Sequence, residues 1–486
     1  YYCTIFAVAE SPYEKDLILA GSDDGLLHIT RDGGKNWTKL SVAGMPEWTM
    51  INSVEFTPHE KGAAYVAATS YKSGDYRPLL FKTKDYGKTW TKITDGIDPT
   101  HFTRVVRADQ KRSGLLYAGT EFGMYISFDD GTSWKPFQLN LPIVPINDLT
   151  IKNDNLIAAT QGRSFWLIDD LTPLHQLNDV ISKSDTHLFK PMPSYRMNGG
   201  QAGRRGQPKN EGVNHPNGVM IHYFVKDTTK LVASLEILES SGKLIKKFAT
   251  KPDKKAKEKE DELKLKPGMN RQVWNMRYAD AEGFDGLIMW AASLTGPKAM
   301  PGMYKARLIV NGKAMETEFE ILKDPRTSGT LADIKAQFDF SIAVRDKLSE
   351  TNKAVKKIRT AREQINRVTE PMKGKEDMKD VNDMAKSILD DMKKIEETLY
   401  QTKNKSGQDP LNYPVRLNNK LGALGSEVDG SDFRPTEQVK AVYKEITEKI
   451  DEQLNLLNKV MTDKVPKFND LVKQKQVNAI SIGDIM

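Results

Sequence analysis

One cysteine, Cys3, stands in 486 residues. A lone thiol excludes an internal disulfide framework and any cysteine-built zinc site, so stability must come from packing. As a small hydrophobe, Cys3 is expected to be buried. The seven histidines (His28, His59, His101, His175, His187, His215, His222) include no pair at i, i+4 and no HExxH, so the sequence supports no metal site and no cofactor. A Walker loop, a Gly-x-Ser-x-Gly elbow and a dinucleotide fingerprint are also absent, which removes the commonest nucleotide and acyl-transfer chemistries. No run approaches the roughly 18 to 20 apolar residues of a spanning helix, so no transmembrane segment is expected. Lys and Arg (72) nearly balance Asp and Glu (65), leaving +7; this is too small an excess to argue for nucleic acid.

What the chain has is length, enough for two to four domains, and repetition. The pattern Ser/Thr-x-Asp-x-Gly-x-x-Trp occurs at Thr30 to Trp37, Thr83 to Trp90 and Ser127 to Trp134. Its residues are Asp32, Gly34 and Trp37, then Asp85, Gly87 and Trp90, then Asp129, Gly131 and Trp134. The aspartates lie 53 and 44 residues apart, close to the period of about 40 to 50 residues of a four-stranded propeller blade. Asp accepts backbone N–H bonds in a turn, Gly supplies a positive φ, and Trp can pack beneath the turn and staple a hairpin to its sheet. The aspartates are therefore expected to be structural. Strand-like segments flank each copy. A fourth unit, Ile146 to Asp170, keeps the strand rhythm without the signature and reads as a terminal blade.

The three signatures resemble Asp-boxes, or BNR repeats. With Gly119-Thr120-Glu121-Phe122-Gly123, Asp75-Tyr76-Arg77-Pro78 and Ala159 to Asp170, the chain resembles the sortilin-like (VPS10-type) BNR-repeat proteins of bacteria, in particular their C-terminal portion. Pro267 to Asn275 and Gly296 to Tyr304 extend the resemblance. It implies a secreted, periplasmic or cell-surface protein, outer-membrane-associated, that binds a protein or peptide within a larger envelope assembly. It also implies propeller blades upstream, which the start at Tyr1-Tyr2-Cys3 fits as a processed or fragmentary terminus.

The expected fold class is mostly β with α: a partial β-propeller (1–172, four blades), a linker (173–217), an Ig-like β-sandwich (218–325) and a C-terminal helical bundle (326–486). The linker reading follows from its Pro, Gly, Asn and basic residues, Arg204 and Arg205 among them. The sandwich reading follows from period-2 stripes such as Leu231, Ala233, Leu235, Ile237 and Tyr304, Ala306, Leu308, Val310, with an Asn311-Gly312 hairpin turn. The charged tract Lys251 to Lys266 reads as a mobile loop. Helical stripes over Leu348 to Ile365, Val381 to Leu399 and Val439 to Val465 predict three long amphipathic helices, with a shorter one near Tyr413 to Leu424.

Two functions are open. The first is non-enzymatic recognition of protein or peptide by the propeller's loops, with Asp75, Arg77 and Arg163 as binding candidates. The second is glycoside hydrolysis, which needs two carboxylates; Glu121 and Asp148 are the catalytic candidates. Glu121 and Arg163 also read as polar ties between blades. Trp48, Tyr71, Tyr76 and Tyr125 discriminate: an open groove of rings suits sugar stacking, whereas rings between blades are core.

Overall fold

A computed structural model describes residues 3–197, 212, 214–253 and 260–476. The chain divides into two compact units, one up to Ser184 and one from Asp185 onward.

The first unit is a succession of antiparallel meanders. The first sheet holds β1 (Ile5–Glu10), β2 (Ile18–Ser22), β3 (Leu27–Thr30) and β4 (Thr38–Leu40). The second holds β5 (Met50–Phe56), β6 (Ala64–Ser70), β7 (Asp75–Thr83) and β8 (Thr91–Lys92), and the third β9 (Thr103–Ala108), β10 (Leu116–Thr120), β11 (Gly123–Ser127) and β12 (Lys135–Pro136). The fourth has only three strands, β13 (Ile146–Lys152), β14 (Asn155–Thr160) and β15 (Phe165–Ile168).

Each signature turns the third strand into the fourth. In all three copies the Ser/Thr hydroxyl accepts the Gly N–H at 2.9 Å (Gly34 to Thr30, Gly87 to Thr83, Gly131 to Ser127). The Asp carboxylate accepts the N–H four residues on, from Asn36, Thr89 and Ser133. The three glycines have φ of 91°, 81° and 83°, a region that a Cβ disfavours.

Successive sheets stack front to back, the front being the face toward the preceding sheet. Ile51 of β5 seats against Gly21 of β2, where a Cβ would overlap it; Ile146 of β13 seats against Gly119 of β10, where a Cβ would lie 2.7 Å from Ile146 Cγ2. Likewise Gly87 meets Leu40 and Gly131 meets Ile93 of the sheet before. Trp90 and Trp134, 8% and 3% exposed, fill the first two interfaces, and the Trp134 indole N–H donates to the Ile93 carbonyl at 2.8 Å. Trp37 departs from the staple expectation. It is 44% exposed because, among the described residues, no sheet lies on its front face, and Cys3, on the same side, is exposed rather than buried.

The segment expected as linker carries short elements among its described residues. It holds α1 (Thr172–Gln176) and α2 (Asp179–Lys183) at the end of the first unit, then β16 (Thr186–Leu188) and β17 (Ser194–Arg196), which join sheets. Composition missed these strands because each is three residues long and its partners lie far along the chain. Arg204 and Arg205 lie outside the described residues. The remaining strands are β18 (Val219–Val225), β19 (Ala233–Glu239), β20 (Leu244–Ala249), β21 (Asp261–Glu262), β22 (Gly268–Trp274), β23 (Gly302–Val310) and β24 (Lys313–Lys323). They form sheets ordered β16-β18-β22 and β17-β24-β23-β19-β20-β21 around one core that includes Trp274, Tyr223 and Phe319. Asn311 and Gly312, both at positive φ, close the two-residue β23–β24 turn, as the dipeptide predicts. Two pairings are parallel, β17 with β24 and β20 with β21. The second places Asp261 and Glu262 of the charged tract in a sheet rather than a loop; residues 254–259 of that tract lie outside the described residues.

The helices are α3 (Leu331–Thr369), opened by a Thr330–Asp333 capping box, α4 (Lys379–Leu399), α5 (Leu417–Asp429), α6 (Glu437–Lys459) and α7 (Val465–Gln474). They share a core of the expected stripes, among them Val355, Ile388, Met392, Leu421 and Ile450. The stripe Val439 to Val465 is two helices joined by a π turn at Val460–Lys464. Pro466 lacks the N–H that would continue the α ladder.

Truncation of the interface tryptophans is expected to be unequal. Trp90→Ala and Trp134→Ala should each cost about 3 to 5 kcal/mol, whereas Trp37→Ala should cost about 1 kcal/mol. Denaturant unfolding followed by circular dichroism measures the three.

Candidate functional site at the first strands and loop edge of the sheets

The first strands β1, β5, β9 and β13 lie side by side through the first unit. Arg107, near the end of β9, ties three of them. Its guanidinium donates to Ser53 Oγ of β5 at 2.7 Å, to Asp148 of β13 at 2.7 Å and to the Leu149 carbonyl at 2.8 Å. It also lies 3.6 Å from Glu55 of β5. Burial pushes the Glu55 carboxyl up to about 7, opposed by the Arg107 charge and reinforced by Asp148. This places a carboxyl that can hold a proton at neutral pH beside an exposed aspartate, with one arginine facing both. Such an environment can raise an acid catalyst, and it is also what a tie between sheets looks like.

The meander sets which connections share an edge. The turns 71–74, 121–122 and 161–164 and the links 41–49, 93–102 and 137–145 all fall on one side of the sheets, and the three Asp turns on the other. The first edge is aromatic. Tyr71 stacks on Phe102 with centroids 5.1 Å apart and Tyr76 leans on the same ring at 6.1 Å. His101, next in sequence, stacks on Phe122 at 4.8 Å. Tyr76, Phe122, Trp48, Leu139 and Ile143 on this edge are all exposed. Tyr125 is buried between the second and third sheets, its hydroxyl 2.8 Å from His101 Nδ1. The four discriminating rings thus divide: Tyr125 is core, and the others belong to the edge.

The candidate residues of the sequence do not converge on one point. Asp75 and Arg77 form an exposed pair at 2.7 Å within two residues. Glu121 accepts from Arg104 at 2.5 Å, a tie within the third sheet rather than between sheets. Arg163 is exposed and donates to the Gly162 carbonyl; it does not meet Glu121. Asp148 alone joins the Arg107 network. The turn aspartates sit on the opposite edge as ionised acceptors. Asp32 is drawn down to about 2 by the Asn36 N–H, the Asn36 side chain and the Thr30 hydroxyl. Asp85 is drawn down to about 2 by the Thr89 hydroxyl and N–H.

Sequence reading missed Glu55 and Arg107, whose strand positions carry no motif. It also missed the pairing of buried Asp109 with half-buried His175, 2.9 Å apart with the Tyr117 hydroxyl 3.2 Å from the same carboxylate. Sixty-six residues separate the two, and α1 brings them together. Among the described residues no cluster of His, Cys, Asp and Glu could hold a metal ion, and no helix is long and apolar enough to cross a membrane.

No protein-family model matches the chain, and no curated protein does. Solved structures give distant likenesses. YCF48 from Cyanidioschyzon merolae is 20% identical over 34% of this chain and 53% of its own, with a TM-score of 0.27; a second structure of YCF48 is described as bound to D1 peptide. An ancestral GH74 enzyme is 16% identical over 51% of this chain and 33% of its own, at 0.28. The GH74 xyloglucanase from Xanthomonas campestris is 11% identical over 65% and 47%, at 0.28. The chain spans about half or less of each of these structures, and the likenesses assign no activity.

Glu55 sets a pH dependence. Its folded value lies above the ordinary 4.5, so the folded state holds the extra proton. Stability should therefore fall as pH rises from about 4.5 to about 7, by on the order of 3 kcal/mol. Glu55→Gln should flatten that slope, as urea midpoints between pH 4 and 8 measure.

Proposed function

We propose that the chain is a non-enzymatic scaffold of the cell envelope or extracellular space, in which a sortilin-like partial propeller recognises protein or peptide through the loop edge of its sheets. The observation that supports this reading is the run of rings Tyr76, Phe102, His101 and Phe122, whose outer members are exposed. Rings held by stacking lose little entropy on binding, so they suit contact with extended chains. Arg77 and Arg163 lie on or beside the same edge. In this reading the Ig-like sandwich and the helical bundle of the second unit are accessory scaffold.

The second reading is a glycoside hydrolase, and Glu55 favours it. A carboxyl raised to about 7 beside Asp148 and Arg107 has the makings of an acid and base pair. Against it, Arg107 engages Asp148 and Ser53 directly, as a tie does.

The test is a displayed random-peptide library beside a panel of xyloglucan and sialylated oligosaccharides. Binding reads the first, and released reducing sugar reads the second. The scaffold reading expects selected peptides to lose at least tenfold in affinity, about 1.4 kcal/mol, with Tyr76→Ala plus Phe122→Ala while Glu55→Gln binds normally. Sugar release abolished by Glu55→Gln or Asp148→Asn in a folded protein would replace it with the second.

A further inference from the structure

The second unit holds a cavity that neither reading of the first unit uses. The chain between β22 and β23 is bonded to two helices. The Glu282 N–H donates to Ser349 Oγ of α3 at 3.0 Å; the Trp290 N–H donates to Asn419 Oδ1 of α5 at 2.7 Å, and the Asn419 amide returns a bond to the Trp290 carbonyl at 2.8 Å. That segment, α3 and α5 together wall a hollow of about 180 Å³. On α5 the wall includes Gly422 and Gly425, where a Cβ would come within 2.6 Å of Met289 Cε and 2.9 Å of Val344 Cγ1, so the helix sits close to its neighbours and projects no side chain at either point. Two residues of the wall each keep a buried polar atom without a hydrogen-bond partner, Ser341 Oγ and Asp429 Oδ1. Ser341 is 7% exposed and breaks the habit of its helix. Ser349 and Thr351 donate to the carbonyls four residues back at 2.8 and 2.7 Å; Ser341 does not. A buried polar atom with no partner is costly, and a ligand in the hollow would supply one.

We propose that this cavity binds a free α-amino acid with an aliphatic side chain, of the size of valine or leucine. The volume admits roughly six to ten non-hydrogen atoms, since a cavity of about 150 Å³ holds benzene. The charged groups of the wall carry both signs, Arg277 and Arg345 against Asp429. A plain anion would meet the Asp429 carboxylate and a plain amine would meet two guanidinium groups, whereas a zwitterion answers both. Arg277 pairs with Asp429 Oδ2 at 2.7 Å, which leaves Oδ1 to accept from the ligand's ammonium, with the Ser341 hydroxyl as a further partner. Arg345 takes the ligand's carboxylate. Its present partner, Asp346, is 61% exposed, and an ion pair open to water yields readily to a carboxylate held out of it. Leu294, Val344 and Leu348 receive the aliphatic side chain. Among the described residues no aromatic ring lines the cavity, so a sugar would find no face on which to stack. The site uses no residue of the first unit and rests on neither reading of it.

Isothermal titration calorimetry of leucine and valine into the 486-residue chain tests it. Leucine should bind saturably at a single site per chain, with a Kd in the micromolar range. Isocaproate, which lacks the ammonium, and isoamylamine, which lacks the carboxylate, should each bind about tenfold or more weakly, the worth of one charged hydrogen bond. Asp429→Asn should narrow the preference for leucine over isocaproate, and Arg345→Gln the preference over isoamylamine. Ser341→Ala should weaken leucine binding without lowering the melting temperature of the ligand-free protein, because it removes no bond there; it keeps the test standing if Asp429→Asn, which also loosens Arg277, fails to fold. Tyr76→Ala plus Phe122→Ala should leave leucine binding unchanged. The proposal is overturned by no saturable heat from leucine or valine at millimolar concentration, by isocaproate or isoamylamine binding as tightly as leucine, or by leucine binding that Ser341→Ala, Asp429→Asn and Arg345→Gln all leave untouched. Leucine binding lost with the two rings of the first unit would overturn it too, by moving the ligand to the loop edge.

Discussion

The first unit depends on one contact repeated along it: the front of each sheet closes on the back of the sheet before. The contact is specific because it pairs a bulky residue with a missing side chain. Ile51 enters the space at Gly21, Ile146 the space at Gly119, and Leu40 and Ile93 cover the turn glycines Gly87 and Gly131. A close-packed interior tolerates little change of volume at such points, so the spacing of the sheets is fixed by where Gly and Ile fall. The Asp turn adds rigidity, since its carboxylate and hydroxyl saturate the N–H groups that a tight turn leaves open. Trp then fills what remains between sheets.

That arrangement also explains where polar groups can go. Side chains on the first strands look toward their counterparts in neighbouring sheets, and Arg107 uses this to bridge β5, β9 and β13. Removing Glu55 from water raises its pKa because the Arg107 charge, 3.6 Å away, offsets only part of the desolvation. The same geometry therefore makes a structural tie and a tuned carboxyl, which an activity assay separates. The loop edge is free of this constraint, and there the exposed rings gather.

Much of this was legible in the sequence. The Asp turns, the strand rhythm, the Asn311-Gly312 hairpin and the helical stripes rest on local rules of turn chemistry and periodicity. What escaped was non-local. β16 and β17 are three residues each and gain their identity from partners such as Tyr223 and Ile321. Arg107 is an ordinary strand residue until β5 and β13 lie beside it, and Asp109 meets His175 only through α1. Trp37 carries the same motif as Trp90 and Trp134, yet its burial depends on a neighbouring sheet that no motif within the repeat describes. The π turn before Pro466 was visible as a proline, while the hydrophobic stripe running through it suggested one helix.

The central claim is that a sheet of this unit is held by the cover on its front face. Hydrogen exchange followed by mass spectrometry on residues 1–486 measures it directly, since among the described residues no sheet covers the front of β1, whereas β5 and β9 are covered. The account predicts that amides of β1 and β2 exchange well ahead of those of β5, β6, β9 and β10, which open only with the whole unit. Equal protection across the first three sheets would contradict it, and stability would then lie within each meander rather than between them.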